Sequence, residues 1–284
     1  MYLILYNPLS KNNKGNINTH KLIKEFKTKN IPFRIKSIIK IDDLELYLSG
    51  KEHITKIILL GGDGTINRFV NDTIDMNIKQ DIYLKRNGTG NDFLRSLKID
   101  DSLPQKIMQV TFDNGEKTYF INGTGMGIDG RISDLVNNAP KKGKFRYFQN
   151  TLKALATFNP TGLNVEIDGV NHYFKKAYLI NLSNGKFFGG GMKISPNANL
   201  DDDYLDVTIA HTINKLFIAF IFLTVYLGKH TSFKKFIFNA KGKHIKATFD
   251  APQSAQCDGE NYYNIRSFDV KSSGKTIHLR YYDK

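Results

Sequence analysis

Residues 56–70 read KIILLGGDGTINRFV. Lys56 to Leu60 is a short apolar run that ends on Gly61-Gly62, the pattern of a buried strand entering a tight turn. From Thr65 the period changes. Ile66, Phe69, Val70 and Ile74 recur at helical spacing, which predicts a helix over Thr65–Met76. The flanking sequence repeats the alternation. Leu3–Tyr6 predicts a strand ending at Asn7-Pro8, and His20–Thr28 a helix with Leu22, Ile23 and Phe26 on one face. Asp81–Leu84 predicts a further strand, and a short helix starts at Asp92. Strands alternating with helices make a parallel sheet covered by helices, so the first part of the chain reads as an α/β domain.

The turn after Leu60 carries chemistry. Three glycines in Gly61-Gly62-Asp63-Gly64 let backbone approach a ligand closely, and the helix that follows aims its N–H groups and positive dipole end at the same place. That suits a phosphate. No Gly-Lys-Ser/Thr follows, so it is not a Walker A loop, and it lacks the G-x-G-x-x-G spacing of a dinucleotide fingerprint. Asp63 beside a phosphate is unfavourable unless it binds a cation or a hydroxyl; the plainer reading is a βα turn with an Asp cap. A second loop, Asn87-Gly88-Thr89-Gly90-Asn91-Asp92-Phe93, again stands between strand and helix. Thr89 offers a hydroxyl, and Asn91 and Asp92 suit a helix cap. Two such loops at the ends of neighbouring strands converge on one crevice.

From about residue 107 the texture changes. Gln109–Phe112, Asn114-Gly115 and Lys117–Ile121 predict a hairpin on a type I′ turn. Tyr173–Leu182, Leu205–Ala210, His244–Phe249, Ile265–Val270 and Thr276–Tyr282 predict strands of a mostly antiparallel β domain. The expected division is 1–115 and 116–284, with the last residues free to rejoin the first domain. Two motifs lie in the second part. In Cys257-Asp258-Gly259-Glu260, two acids around a glycine can supply a general base and a partner, or simply make a β-turn. Gly189-Gly190-Gly191, followed by Asp201-Asp202-Asp203, clusters oxygens that suit a hard cation such as Mg²⁺, or forms a solvated acidic loop.

The chain has 284 residues and a formal net charge of +14, which implies an anionic partner. One cysteine, Cys257, excludes an intrachain disulfide and a cysteine-rich zinc site. No G-x-S-x-G elbow or nucleic-acid-binding signature is present, and the N-terminus does not read as a signal peptide, so a cytoplasmic protein is expected. The longest apolar run, Leu216–Leu227, is twelve residues where a bilayer span needs about 20. It sits in a stretch from Asp206 to Asp250 with no acid between them but with Lys215, Lys229, Lys234, Lys235, Lys241, Lys243 and Lys246. A second acid-free stretch, Leu135–Val165, carries Lys141, Lys142, Lys144, Arg146 and Lys153. Both suit an anionic membrane surface.

In order, these motifs resemble those of the bacterial diacylglycerol kinase family, which shares a catalytic domain with sphingosine kinase and, more distantly, NAD kinase. Asn7-Pro8 with Ser10, Gly61–Asn67, Gly88–Phe93, Asn122–Asp129, Phe188–Gly191 with Pro196, Ala198, Asp202 and Leu205, and Asp258-Gly259-Glu260 match its successive segments, over essentially the whole chain. Arg86 replaces a proline usual before the second loop, and Asp203 a glycine. The resemblance implies a Rossmann-like (phosphofructokinase/NAD-kinase-like) domain and a C-terminal β-sandwich, with ATP and lipid meeting between them. It implies ATP held by Asn7, Gly61, Gly62, Asp63, Gly64, Thr65, Ile66, Asn67, Gly88, Thr89, Asn91 and Asp92, with Asp63 and Asp92 supporting catalytic Mg²⁺. Asp258 would accept the lipid hydroxyl proton with Glu260 nearby, and a structural Mg²⁺ would take Asp202 and backbone at Asn199 and Tyr204. The expected activity is ATP-dependent phosphorylation of a lipid, first of all diacylglycerol, at the inner face of an anionic membrane, with a homodimer as a further option. NAD kinase, sphingoid-base kinase and a non-catalytic basic membrane-binding protein are the alternatives.

Overall fold

A computed structural model of the chain describes residues 1–10, 16–87, 91–97, 103–137 and 144–282. Their strands form two sheets. The first begins with β1 (Tyr2–Tyr6), followed by α1 (Asn16–Thr28), β2 (Phe33–Ser37), α2 (Leu44–Leu48), β3 (Lys56–Gly61), α3 (Asp63–Thr73), β4 (Asp81–Arg86) and α4 (Asp92–Ser96). The second contains β5 (Gln105–Phe112), β6 (Lys117–Phe120) and β7 (Gly123–Gly127), then α5 (Ile128–Asn137) and α6 (Lys144–Thr157). It continues through β8 (Thr161–Ile167), β9 (Val170–Ser183), β10 (Leu205–His211), α7 (Lys215–Val225), β11 (Ile237–Gly242), β12 (His244–Cys257) and β13 (Glu260–Ile277). The last strand, β14 (Leu279–Tyr281), leaves the second sheet and returns to the first.

The first sheet is parallel throughout, in the order β14-β4-β3-β1-β2. The chain passes from β1 to β2 on one side and then to β3 on the other. The carboxyl ends of β1 and β3 therefore border the switch point where α/β sheets bind ligands. Leu3, Leu5, Ile57, Leu59, Ile66, Phe69 and Phe93 fill one side, and Ile4, Ile58, Leu60, Leu22 and Phe26 the other. Burial on both faces explains why the strands read as continuous apolar runs.

The second sheet folds over itself. β7 and β8 each pair with both β9 and β12, so these two 14-residue strands belong to both layers of a sandwich. Met108, Val110, Leu163, Val165, Ile180, Leu182, Ile245 and Phe249 fill its interior. Helices α5, α6 and α7 cover an outer face through Ile128, Ile132, Leu155, Ile218 and Ile221.

Several expectations change in detail. Helix α1 starts at Asn16 rather than His20, and α3 at Asp63 rather than Thr65. β2 and α2 were not foreseen: β2 is a charged edge strand, and α2 is one turn capped by Asp43, which accepts from the Leu46 N–H. The Asn114-Gly115 hairpin exists, but its turn is not type I′. Only Gly115 has positive φ (85°), and the Gly115 N–H donates to the Phe112 carbonyl. This is a type I turn closed by a left-handed glycine. The expected strand Thr276–Tyr282 is split: Thr276 and Ile277 end β13, while Leu279–Tyr281 pair with β4.

Leu279 is fully buried in the first core, and its N–H donates to Gln105 Oε1 at 2.8 Å. The predicted cost of Leu279→Ala is about 2–5 kcal/mol of unfolding free energy, measured by urea denaturation. A loss below about 1 kcal/mol would mean that the returning strand is a loose appendage.

Candidate active site

The glycine loop closes tightly on itself. A Cβ on Gly61 would run into the Thr65 side chain, so only glycine fits there. The Gly62 carbonyl accepts from the Thr65 and Ile66 N–H groups, which starts α3 and leaves the Asp63 and Gly64 N–H groups in its unbonded first turn. Asn7, at the end of β1, donates from Nδ2 to Thr65 Oγ1 at 2.9 Å. The Ile66 side chain is buried in the core of the first sheet, so only its backbone belongs to the loop.

Asp63 caps the second loop's helix. Its Oδ2 and Oδ1 accept from the Asp92 N–H (3.1 Å) and the Phe93 N–H (3.0 Å). The expectation that Asn91 or Asp92 caps α4 is therefore corrected. Asn91 stands at the cap position with left-handed φ of 53° and makes no capping bond with its side chain, because Asp63 takes the N–H groups. Asp92 instead turns toward the sandwich, accepting from Arg95 Nη1 (2.9 Å) and from the Gly190 N–H (2.6 Å). Burial first, and Asp63 second, push its carboxyl up to about 6. Gly189, Gly190 and Gly191 thus present an N–H to an acid rather than oxygens to a cation. Gly88 and Thr89 lie outside the described residues.

Asp258 joins the two sheets. With Gly259 it forms the turn between β12 and β13, at φ values of 46° and 91° in the type I′ pattern. Its Oδ1 accepts from the N–H groups of Asn122 (3.1 Å) and Gly123 (2.8 Å). Its Oδ2 accepts from the Ile121 N–H and from Asn67 Nδ2, both at 3.0 Å. Burial pushes the carboxyl up to about 6 while the four donors pull it back. Asn67 and Asn71 also donate to the Tyr119 carbonyl, so α3 lies against β6. Glu260, two residues on, is exposed, its side chain makes no hydrogen bond or ion pair among the described residues, and its Oε1 lies 3.9 Å from where a Cβ on Gly64 would stand.

Sequence reasoning passed over a cavity of about 70 Å³ in the sandwich domain, walled by Ile132 of α5, Leu155 of α6, Ile221 and Val225 of α7, and Phe188 and Met192 of the glycine-rich loop. Asp129 is the one acid in its lining. Asp129 Oδ2 accepts from Gln256 Nε2 (2.9 Å), and Gln256 Oε1 accepts from the Gly259 N–H (3.1 Å). Two hydrogen bonds thus lead from the cavity to the Asp258-Gly259-Glu260 turn. Asp129 stood within the quoted 122–129 segment, but nothing in its sequence spacing marks an inward-facing carboxylate.

The loop at residues 199–204 does not fit a divalent cation. Asp202 Oδ1 accepts from the Tyr204 N–H. Lys241 Nζ lies 3.9 Å from Asp202, 3.3 Å from Asp206 and 3.4 Å from the Asn197 carbonyl, supplying the positive charge itself. Asp203 pairs with Lys106 and Ser272, which hold its carboxyl below the usual range. The Asp202 side chain is thus engaged by the Tyr204 N–H and by Lys241, whose ammonium stands where a cation's charge would be needed.

The chain matches two family models: the diacylglycerol kinase catalytic domain over residues 1–120, and the YegS C-terminal NAD kinase beta sandwich-like domain over residues 123–267. A diacylglycerol kinase of Bacillus subtilis is 29% identical over 224 residues, covering 72% of this chain and 70% of the relative. One from Staphylococcus aureus is 28% identical over 254 residues, covering 81% and 79%. The crystal structure of a diacylglycerol kinase from Bacillus anthracis superposes with a TM-score of 0.66 at 19% identity, covering 100% of this chain and 96% of that one, a likeness of fold.

Burial also pushes Asp129 up to about 6 from an ordinary 3.8. The folded chain therefore keeps this proton over a range where the unfolded chain releases it, and stability from this group falls as pH rises from about 4 to about 6. Asp129→Asn removes the effect. Relative to that variant, the wild type is predicted to lose up to about 3 kcal/mol between pH 4 and pH 7 in urea unfolding. A pH-independent difference would contradict it. The motifs, the paired sheets and both domain matches agree on one placement: this chain belongs to the bacterial diacylglycerol kinase family of lipid kinases.

Proposed function

We propose that the chain transfers the γ-phosphate of ATP to the hydroxyl of a membrane lipid, first of all diacylglycerol. The observation that carries this reading is a hydrogen-bonded link between an apolar cavity and a phosphate-type loop. Asp129 in the cavity wall bonds Gln256, Gln256 bonds the turn bearing Glu260, and Glu260 Oε1 lies 3.9 Å from where a Cβ on Gly64 of that loop would stand. An NAD kinase has no use for a cavity lined by Ile132, Leu155, Ile221 and Met192.

Phosphoryl transfer needs positioning, charge neutralisation and a base on the acceptor. The first turn of α3, with Asp63 and Gly64 N–H groups, is suited to the ATP phosphates. Asp63 stands close enough to Asp92 to disfavour its charge, and Mg²⁺ held by the two would relieve that. Bound there, Mg²⁺ would neutralise charge on the transferring phosphate. Asn7 and Asn67 hold the loop to β1 and to Asp258.

The base is Glu260 rather than Asp258. All four lone-pair positions of the Asp258 carboxylate are occupied by donors, so it positions the turn, whereas Glu260 is unpartnered in the crevice. Glu260→Gln should lower turnover about 10²- to 10⁴-fold, the usual loss with a general base, while ATP affinity stays within about threefold. Turnover within about threefold of wild type would remove Glu260 from that role. The reading as a whole is tested by radiolabelled γ-phosphate transfer to diacylglycerol, sphingoid base and NAD⁺ in parallel. Label on diacylglycerol supports it; label on NAD⁺ and on no lipid overturns it.

A further inference from the structure

Helix α7 has two apolar faces. Ile218, Ile221, Phe222 and Val225 point inward and line the cavity. Leu216, Phe220 and Leu223 follow at spacings of four and three, which places them on one opposite stripe, and Leu227 lies in the turn just past the helix. They are exposed by 87%, 53%, 52% and 68% of their surface. Four large apolar side chains in a continuous exposed row are uncommon on a surface facing only water.

The charge around the stripe is of one sign. The edge of Phe220 packs on Phe233, ring centroids 6.2 Å apart, which brings Lys234 and Lys235 beside the row. Lys229 follows the helix, and Lys215 begins it with Nζ bound to the Ala156 carbonyl. Lys229, Lys234 and Lys235 are exposed and make no ion pair among the described residues. Lys235 lies over the neighbouring Phe236 ring, within the same patch, whereas the other lysines of the acid-free stretch are engaged away from α7. Lys241 pairs with Asp206, Lys246 with Glu166, and Lys243 lies over the Tyr204 ring. The basic surface is therefore narrower than the sequence predicts, and it is centred on α7.

We propose that the exposed stripe of α7 inserts into the interface of an anionic lipid bilayer, with Lys229, Lys234 and Lys235 on its headgroups. The helix of 11 residues is too short to span, and no helix among the described residues is long and apolar enough to cross a membrane. With the inner face packed on the domain, an outer apolar row rimmed by lysines suits the boundary between headgroups and acyl chains. The choice of a bilayer over a second protein rests on that charge, since each lysine near an anionic surface strengthens binding. The inference rests on the lipid-kinase reading in one respect: the same helix walls the cavity, so docking places the cavity one helix from the lipid source.

The test separates binding from chemistry. Substrate-free vesicles of phosphatidylglycerol and phosphatidylcholine are sedimented with wild type, with Leu216→Ser/Leu223→Ser and with Lys234→Gln/Lys235→Gln. Wild type is expected on anionic vesicles, with each double variant reduced about tenfold or more and the lysine variant losing most of its dependence on salt. Both variants should match wild type on a water-dispersed short-chain diacylglycerol. Equal binding by all three proteins overturns the proposal. So does wild type that ignores vesicles and forms a dimer which Leu216→Ser/Leu223→Ser makes monomeric. Failure of every protein, wild type included, on the dispersed substrate would count against the lipid-kinase reading while leaving the vesicle result to stand or fall alone.

Discussion

The carboxylate of Asp258 is the constraint on which the rest of the molecule depends. It is buried, it belongs to the second sheet, and it is neutralised by no cation among the described residues. Burying a charge costs several kcal/mol, and only donors can offset that. Four are supplied, from Ile121, Asn122, Gly123 and Asn67. Hydrogen bonds to a charged group contribute about 1.5–3 kcal/mol each, so the set is large enough to hold the carboxylate ionised. Because Asn67 lies on the helix that opens the glycine loop, satisfying one buried charge also fixes that loop against the sandwich.

The same device recurs on the other side of the crevice. Asp63 and Asp92 are first-sheet acids whose partners lie in other segments: the second loop's N–H groups for Asp63, the Gly190 N–H for Asp92. The loop around Gly190 carries Phe188 and Met192, which wall the apolar cavity. Asp92 binds backbone across the junction and Asp63 holds the helix that carries Asp92, which sets the phosphate-type loop beside the loop walling the cavity.

The sequence made the fold class legible because both of its periodicities are strong. An apolar run as short as Ile57–Leu60, ended by two glycines, suits a strand buried on both faces, and alternation in the second half suits a β domain. What stayed hidden is non-local. β2 is an edge strand whose Arg34 and Lys36 break any apolar pattern, and β14 joins the first sheet from the far end of the chain. For the site, the residue types were readable but their partners were not. Asp258 and Glu260 stand two apart, and only the left-handed turn between them shows that one is saturated and the other free. Lys241 pairing with Asp202 and Asp206 is likewise invisible in one dimension, which is why an acidic loop suggested a metal.

The most direct test of the coupling at Asp258 is a double-mutant cycle between Asn67→Ala and Asp258→Asn, read by urea unfolding. The two residues are 191 positions apart in sequence and 3.0 Å apart in space. If that contact holds the loop to the sandwich, the cycle should return a coupling of about 1–3 kcal/mol. Additivity within about 0.3 kcal/mol would contradict it and leave the two sheets to be held together by other contacts.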